Sequence, residues 1–153
     1  MSPNAAQDPQ PTIQAYWSGK VEPEHRHHGE EWFERYAREL LSAMPHGGTL
    51  FDVGCGACQV TTYLAGAYDR VVAFDFSPSM IEAGRERAVR LHGNKITVMN
   101  GEATRFPEGA GLADVILANG VIQYVDDAAL DRHLAECSRV LAPGGTVCWG
   151  QVP

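Results

Sequence analysis

Five short apolar runs alternate along this chain with segments whose apolar residues recur every three to four positions, and that alternation leaves few folds open. The runs Thr49–Val53 (TLFDV), Val71–Phe74, Ile96–Met99, Asp114–Ala118 (DVILA) and Thr146 to about Val152 read as strands. Between the first two, Val60, Leu64 and Ala67 mark a helix. Ser77 as N-cap and Pro78 as first helical residue open another, running to about Leu91. Asp126 or Asp127 caps a third, with Leu130, Leu134, Cys137 and Leu141 on its inner face, and Pro143-Gly144-Gly145 stops it. Strands joined through helices make right-handed crossovers, hence a parallel sheet covered on both faces. The predicted fold class is α/β, doubly wound and mostly parallel. In such sheets ligands sit outside the carboxyl ends of the strands, where strand order reverses.

An amphipathic helix precedes the first strand. Trp32, Tyr36, Leu40 and Met44 form one i, i+4 row and Phe33, Ala37 and Leu41 a second, until Pro45, Gly47 and Gly48 end it. The domain reading is a flexible polar leader over 1–14, an N-terminal lid and helix over 15–48, and an α/β core over 49–153.

At 153 residues the chain has the size of one domain and can bury a core without staples. Twelve Lys plus Arg against 19 Asp plus Glu give a net charge of −7, which repels a phosphate backbone and disfavours nucleic acid as partner. The basic strip Arg85, Arg87, Arg90 and His92 reads as a solvated helix face. The start of the chain lacks the basic and apolar regions of a secretion signal, and no apolar run approaches the ~20 residues that span a bilayer. No membrane partner is expected, and the expected location is the cytoplasm. Four cysteines, Cys55, Cys58, Cys137 and Cys148, are too unevenly placed for a disulfide scaffold.

The chemistry concentrates at the strand ends. The first strand runs into Asp52-Val53-Gly54-Cys55-Gly56-Ala57-Cys58, whose glycines allow a tight turn and a close approach to a ligand, with free N–H groups expected from the helix that follows. Asp75 lies 21 residues beyond Gly54 at the end of the second strand, placed to accept hydrogen bonds from ribose hydroxyls. A nucleoside-containing cofactor follows. A dinucleotide fingerprint needs glycine at 59, where Gln59 stands, and Asp52 suits an ammonium group better than a pyrophosphate.

These residues resemble the class I S-adenosylmethionine-dependent methyltransferases, especially the small-molecule enzymes with the pattern LDVGCGxG. The matching segments are LFDVGCGAC (Leu50–Cys58), VVAFDFSPSMIEAGRERA (Val71–Ala88), GEATRFP (Gly101–Pro107), DVILANGVIQYVDD (Asp114–Asp127) and RVLAPGGTV (Arg139–Val147). The resemblance runs from about Trp32 to Gly150. It implies a Rossmann-like sheet, S-adenosylmethionine as cofactor with S-adenosylhomocysteine as product, and methyl transfer to O, N or C of a small-molecule acceptor. By the same resemblance Asp52, Gly54, Cys55 and Gly56 form the loop beside the methionine part. Asp75 binds the ribose hydroxyls, and Phe76 and Met80 flank the adenine. Glu102 and Ala103 meet the adenine edge, Asn119 and Gly120 lie near the amino-acid moiety, and Val121 and Tyr124 line the methyl-transfer pocket. Candidates for a base are Tyr16, Tyr124 and the histidines at 25, 27 and 28, His28 among them.

The chain departs from the family pattern in three places. Cys58 stands where the third glycine of the loop belongs, Glu102 replaces a shorter acid, and five strands are seen of the usual seven. The core is therefore expected to be C-terminally incomplete, and the apolar edge of its fifth strand is expected to support a homodimer. Two other functions stay open: a non-catalytic or truncated cofactor-binding module, and a thiol–disulfide redox protein built on Cys55 and Cys58, which gives no role to Asp75, Glu102 or Asn119. No metal site is expected, since the pair lacks a second pair of ligands and the His-rich stretch Glu22–Glu31 reads as a solvated loop.

Overall fold

The computed structural model describes residues 28–151. Helix α1 (Glu30–Ala43) leads into strand β1 (Thr49–Val53). A four-residue α2 (Thr61–Leu64), tightened into a 3₁₀ turn at Ala65–Ala67, connects to β2 (Arg70–Asp75). Then come α3 (Pro78–His92), β3 (Ile96–Asn100), β4 (Ala113–Asn119), a 3₁₀ turn at Ile122–Tyr124, α4 (Asp127–Val140) and β5 (Leu141–Gly150).

The strands form one parallel sheet in the order β3-β2-β1-β4-β5, so the α/β doubly wound reading holds. Successive residues face opposite sides. Leu50, Val71, Ala73, Val98, Val115 and Leu117 pack with Ala37, Leu64 and Ile81 of the first three helices, while Phe51, Val53, Val72, Phe74, Ile116 and Ala118 pack with Cys137 and Val140 of α4. Strand order reverses between β1 and β4, which puts the crevice at their carboxyl ends.

Four local expectations need correction. The buried stripe of α4 is His133, Cys137 and Val140, whereas Leu134 is 42% exposed, because the helix docks on the sheet rotated by one position from the leucine row. Leu141 is the first residue of β5, and Pro143-Gly144-Gly145 bulges from the ladder between the pairs Ala113–Leu141 and Val115–Thr146. Pro143 has no N–H to give and Gly144 sits at φ +78°, so neither suits a regular rung. The basic strip on α3 is partly internal: Arg87 is buried against Glu30, and Arg85 Nε donates to the Val98 carbonyl. The helix after the first turn is a single short coil, so it offers the loop no extended N-terminus. Asp126 caps α4 as expected, accepting from the Ala129 N–H at 2.7 Å. Ser77 occupies the N-cap of α3 without a side-chain capping bond.

Candidate functional site

One cavity of about 730 Å³ opens at the carboxyl ends of β1 to β4. Its wall contains Asp52, Gly54, Cys55, Gly56, Asp75, Phe76, Met80, Glu102, Ala103, Asn119, Gly120 and Val121, the full set selected from the sequence, together with Tyr124 and His28. Tyr16, His25 and His27 lie outside the described residues.

The floor is the turn after β1. The Gly54 and Cys55 N–H groups both donate to the Phe74 carbonyl, at 2.8 and 3.1 Å, and tie the turn to β2. Gly54 has φ +70°, and a Cβ there would sit 2.5 Å from Val121 Cγ2, so only glycine lets the two loops meet. Cys58 has φ +58°, the one left-handed non-glycine among the described residues. Its side chain is therefore carried in a conformation suited to glycine, the residue that the resemblance leads one to expect there.

Asp75 is held from both sides: Oδ2 accepts from the Gly56 N–H at 3.0 Å and Oδ1 from the Ser77 N–H at 2.9 Å. The carboxylate keeps lone-pair capacity for a ligand hydroxyl. Burial raises the pKa of this carboxyl, and the N–H groups of Ser77, Gly56 and Phe76 oppose the rise. Asp52 is deeper, 4% exposed, with Oδ2 accepting the Thr61 hydroxyl at 2.6 Å. Burial pushes its pKa up to about 7, the Thr61 bond opposes this, and the charge of Asp75 adds to it.

On the far side, Asn119 Oδ1 accepts the Tyr36 hydroxyl at 2.7 Å, which the Gln151 carbonyl shares at 3.1 Å. Tyr36 continues a column of rings along α1. His28 stacks on Trp32 at 3.9 Å and Trp32 on Tyr36 at 5.0 Å, and His28 and Trp32 line the cavity. Glu30 anchors the start of this helix, paired with Arg87 at 2.9 Å and accepting the Tyr63 hydroxyl at 2.7 Å.

His133 is fully buried and braces the β3 side. A carbonyl can only accept, so Nδ1 carries the proton and donates to the Ala103 oxygen at 2.8 Å, while Nε2 accepts from Trp149 Nε1 at 3.3 Å. Sequence reasoning missed both this histidine and the Tyr36–Asn119 bond. The signal for the first was a polar residue in register with Leu130 and Cys137 on an otherwise apolar face; the second had none, since 83 residues separate the partners.

Nothing here favours a thiol–disulfide catalyst. The Cys55 pKa is pushed well above its ordinary value by its hydrogen bond to Cys58, by burial and by the nearby negative groups, whereas exchange catalysts depend on a lowered one.

A parallel sheet with a glycine turn after β1 and a fixed carboxylate ending β2 defines an α/β domain of the nucleoside-cofactor-binding class. Residues 50–145 match the family described as methyltransferase domain, and the chain belongs to that family. It is 33% identical over 104 residues to the demethylmenaquinone methyltransferase of Staphylococcus haemolyticus, covering 66% of this chain and 42% of that protein. It is 35% identical over 117 residues to the trans-aconitate 2-methyltransferase of Methylobacterium radiotolerans, covering 74% and 42%. The phosphoethanolamine N-methyltransferase 1 of Haemonchus contortus, solved with phosphoethanolamine and S-adenosylhomocysteine, superposes with a TM-score of 0.72 at 24% identity, covering 89% of this chain and 30% of that one. The chain spans about half the length, or less, of the curated relatives it matches.

Proposed function

We propose that this chain binds S-adenosylmethionine and belongs to an enzyme that transfers its methyl group to a small molecule. The observation that carries the reading is the Asp75 carboxylate, fixed by two backbone N–H groups at the mouth of the glycine turn with lone pairs left over for vicinal hydroxyls. The volume of about 730 Å³ suits a nucleoside with an amino-acid tail. The family match and relatives named for acceptors as different as a quinone, a tricarboxylate and phosphoethanolamine support a small-molecule acceptor.

When bound, the cofactor supplies the methyl group as a sulfonium electrophile. In this reading Asp75 holds the ribose, Phe76 and Met80 flank the adenine, and Glu102 and Ala103 meet its edge. Asp52 compensates the ammonium of the amino-acid part, beside Gly54, Cys55 and Gly56, with Asn119 and Gly120 on the opposite wall. Val121 and Tyr124 shape the acceptor side, and Tyr124 or His28 takes the proton of an acceptor that must lose one. Alignment of acceptor and methyl is worth roughly 7–11 kcal/mol of barrier in well-oriented reactions, so these groups act mainly by position.

A reducing cytoplasmic location goes with four free cysteines. No helix among the described residues is long and apolar enough to cross a membrane. A homodimer through β5, an edge strand with Trp149 52% exposed, is part of the same reading, and light scattering at tens of micromolar checks it.

The test is calorimetric titration of the reduced chain with S-adenosylmethionine and with S-adenosylhomocysteine. Micromolar binding of both is expected; a folded chain that binds neither would refute the reading.

A further inference from the structure

We propose that Cys55 and Cys58 are a reversible disulfide site that gates cofactor binding. The inference rests on the cofactor reading above and concerns the same cavity.

The two residues are the corners of one turn. The Cys58 N–H donates to the Cys55 carbonyl at 3.0 Å, and an i to i+3 turn brings its end Cα atoms within about 7 Å. That is close to the roughly 4.4–6.8 Å a disulfide spans. Cys55 Sγ donates to the Gly56 carbonyl at 3.4 Å within the same turn, and Cys58 heads the groups that push the Cys55 pKa up. They differ in access: Cys55 is half-buried on the cavity wall, whereas Cys58 has no exposed surface and lies under the glycine face of α3 at Gly84. An oxidant in the cavity therefore meets Cys55 first, with Cys58 behind it as the resolving thiol.

With glutathione disulfide as oxidant the step balances. The Cys55 thiolate attacks one sulfur, giving a mixed disulfide and one glutathione thiol. The Cys58 thiolate then attacks Cys55 Sγ and displaces the second. Two cysteines lose two electrons and two protons, and one glutathione disulfide becomes two glutathiones. Burial and the neighbouring carboxyls keep Cys55 protonated, so closure is slow at neutral pH and quickens as pH rises. Such a pair responds to sustained oxidation and does not turn over as a catalyst.

The functional link is Gly56. It lies between the cysteines, and its N–H holds Asp75 Oδ2 at 3.0 Å. Drawing Sγ to Sγ across this turn shifts that N–H, and with it the carboxylate that binds ribose. By linkage, a cofactor lying over Cys55 resists closure by the same factor with which closure weakens the cofactor.

The full chain is equilibrated in glutathione buffers of stepped redox ratio, alkylated, and mapped by peptide mass for a Cys55–Cys58 bond; each sample is then titrated with S-adenosylhomocysteine. The expected result is a mapped disulfide, affinity at least about tenfold weaker in the oxidised form, recovery with reductant, and slower closure when S-adenosylhomocysteine is present. The variant Cys58→Gly suits the left-handed backbone and lacks the resolving thiol: its reduced form is expected to bind like the reduced parent, and in oxidised glutathione it is expected to stop at the Cys55–glutathione mixed disulfide with no internal bond. Folded chain that forms no Cys55–Cys58 disulfide in oxidised glutathione alone, or forms it without a change in affinity, would overturn the gate and leave the cofactor reading intact. Reduced, folded chain that fails to bind would overturn the cofactor reading and the gate with it.

Discussion

Cys58 and Gly84 are fitted to one another: a Cβ on Gly84 would lie 3.0 Å from Cys58 Sγ and 3.3 Å from the Gly56 carbonyl oxygen. The loop carries a side chain at a left-handed position that favours glycine, and the facing helix supplies a glycine where a side chain would collide. Gly84→Ala gains roughly 1 kcal/mol of helix propensity yet is expected to destabilise the protein by about 1 kcal/mol net, through crowding. In a Cys58→Gly background the same change is expected to approach neutrality, a coupling on the order of 1–2 kcal/mol. Urea unfolding of the four proteins measures the cycle, and strict additivity would show that the two positions do not share the space.

Asp52 makes stability depend on pH. Its carboxyl titrates at about 7 in the folded chain against an ordinary 3.8, so between these values the unfolded state has lost a proton that the folded state keeps. Stability contributed by this group is full below about pH 4, falls as pH rises, and levels off above pH 7. Asp52→Asn removes the effect while keeping an acceptor for Thr61. The stability difference between variant and parent is expected to move in the variant's favour by on the order of 3 kcal/mol from pH 4 to 8. A difference that stays constant across that range would mean the carboxyl ionises normally.

Asp75→Ala is expected to weaken S-adenosylhomocysteine binding by about 1–3 kcal/mol through loss of charge-assisted hydrogen bonds. The change also strips the Gly56 and Ser77 N–H groups of their acceptor, so thermal unfolding is measured alongside calorimetry. Equal affinity in a folded variant would put the adenosine elsewhere.

His133→Phe leaves the Ala103 carbonyl without its donor and Trp149 Nε1 without its acceptor. Half-exposed Trp149 recovers a partner from water, so the cost is dominated by Ala103 and is expected to be about 2 kcal/mol by urea unfolding. Loosening of the β3 side is also expected to lower S-adenosylhomocysteine affinity, whereas a variant of parental stability would show that the brace contributes nothing.

The alternation of five strand-length runs with helical rows, the glycine turn at 54 to 56 and the acids at 52 and 75 were all legible in the chain, because each is a local or periodic signal that the fold has little freedom to reinterpret. The family pattern carried Phe76, Met80, Glu102, Ala103 and residues 119–121 of the cavity wall, since four of its five segments reach the carboxyl end of a strand, whereas Arg139–Val147 enters the start of β5. The rotation of α4 was not legible. Apolar rows at 130, 134, 137 and 141 and at 130, 133, 137 and 140 differ by one position, and only docking against Phe106 and Trp149 selects the row that buries His133. The same limit hid Tyr36 on Asn119 and the raised pKa of Asp52, which depend on partners and burial assembled from distant segments. Local and periodic signals settled the order of strands and helices and the end of the sheet at which the ligand crevice opens; packing settled which polar groups are buried and what each is bonded to, because desolvation and hydrogen-bond partners exist only once the layers have packed.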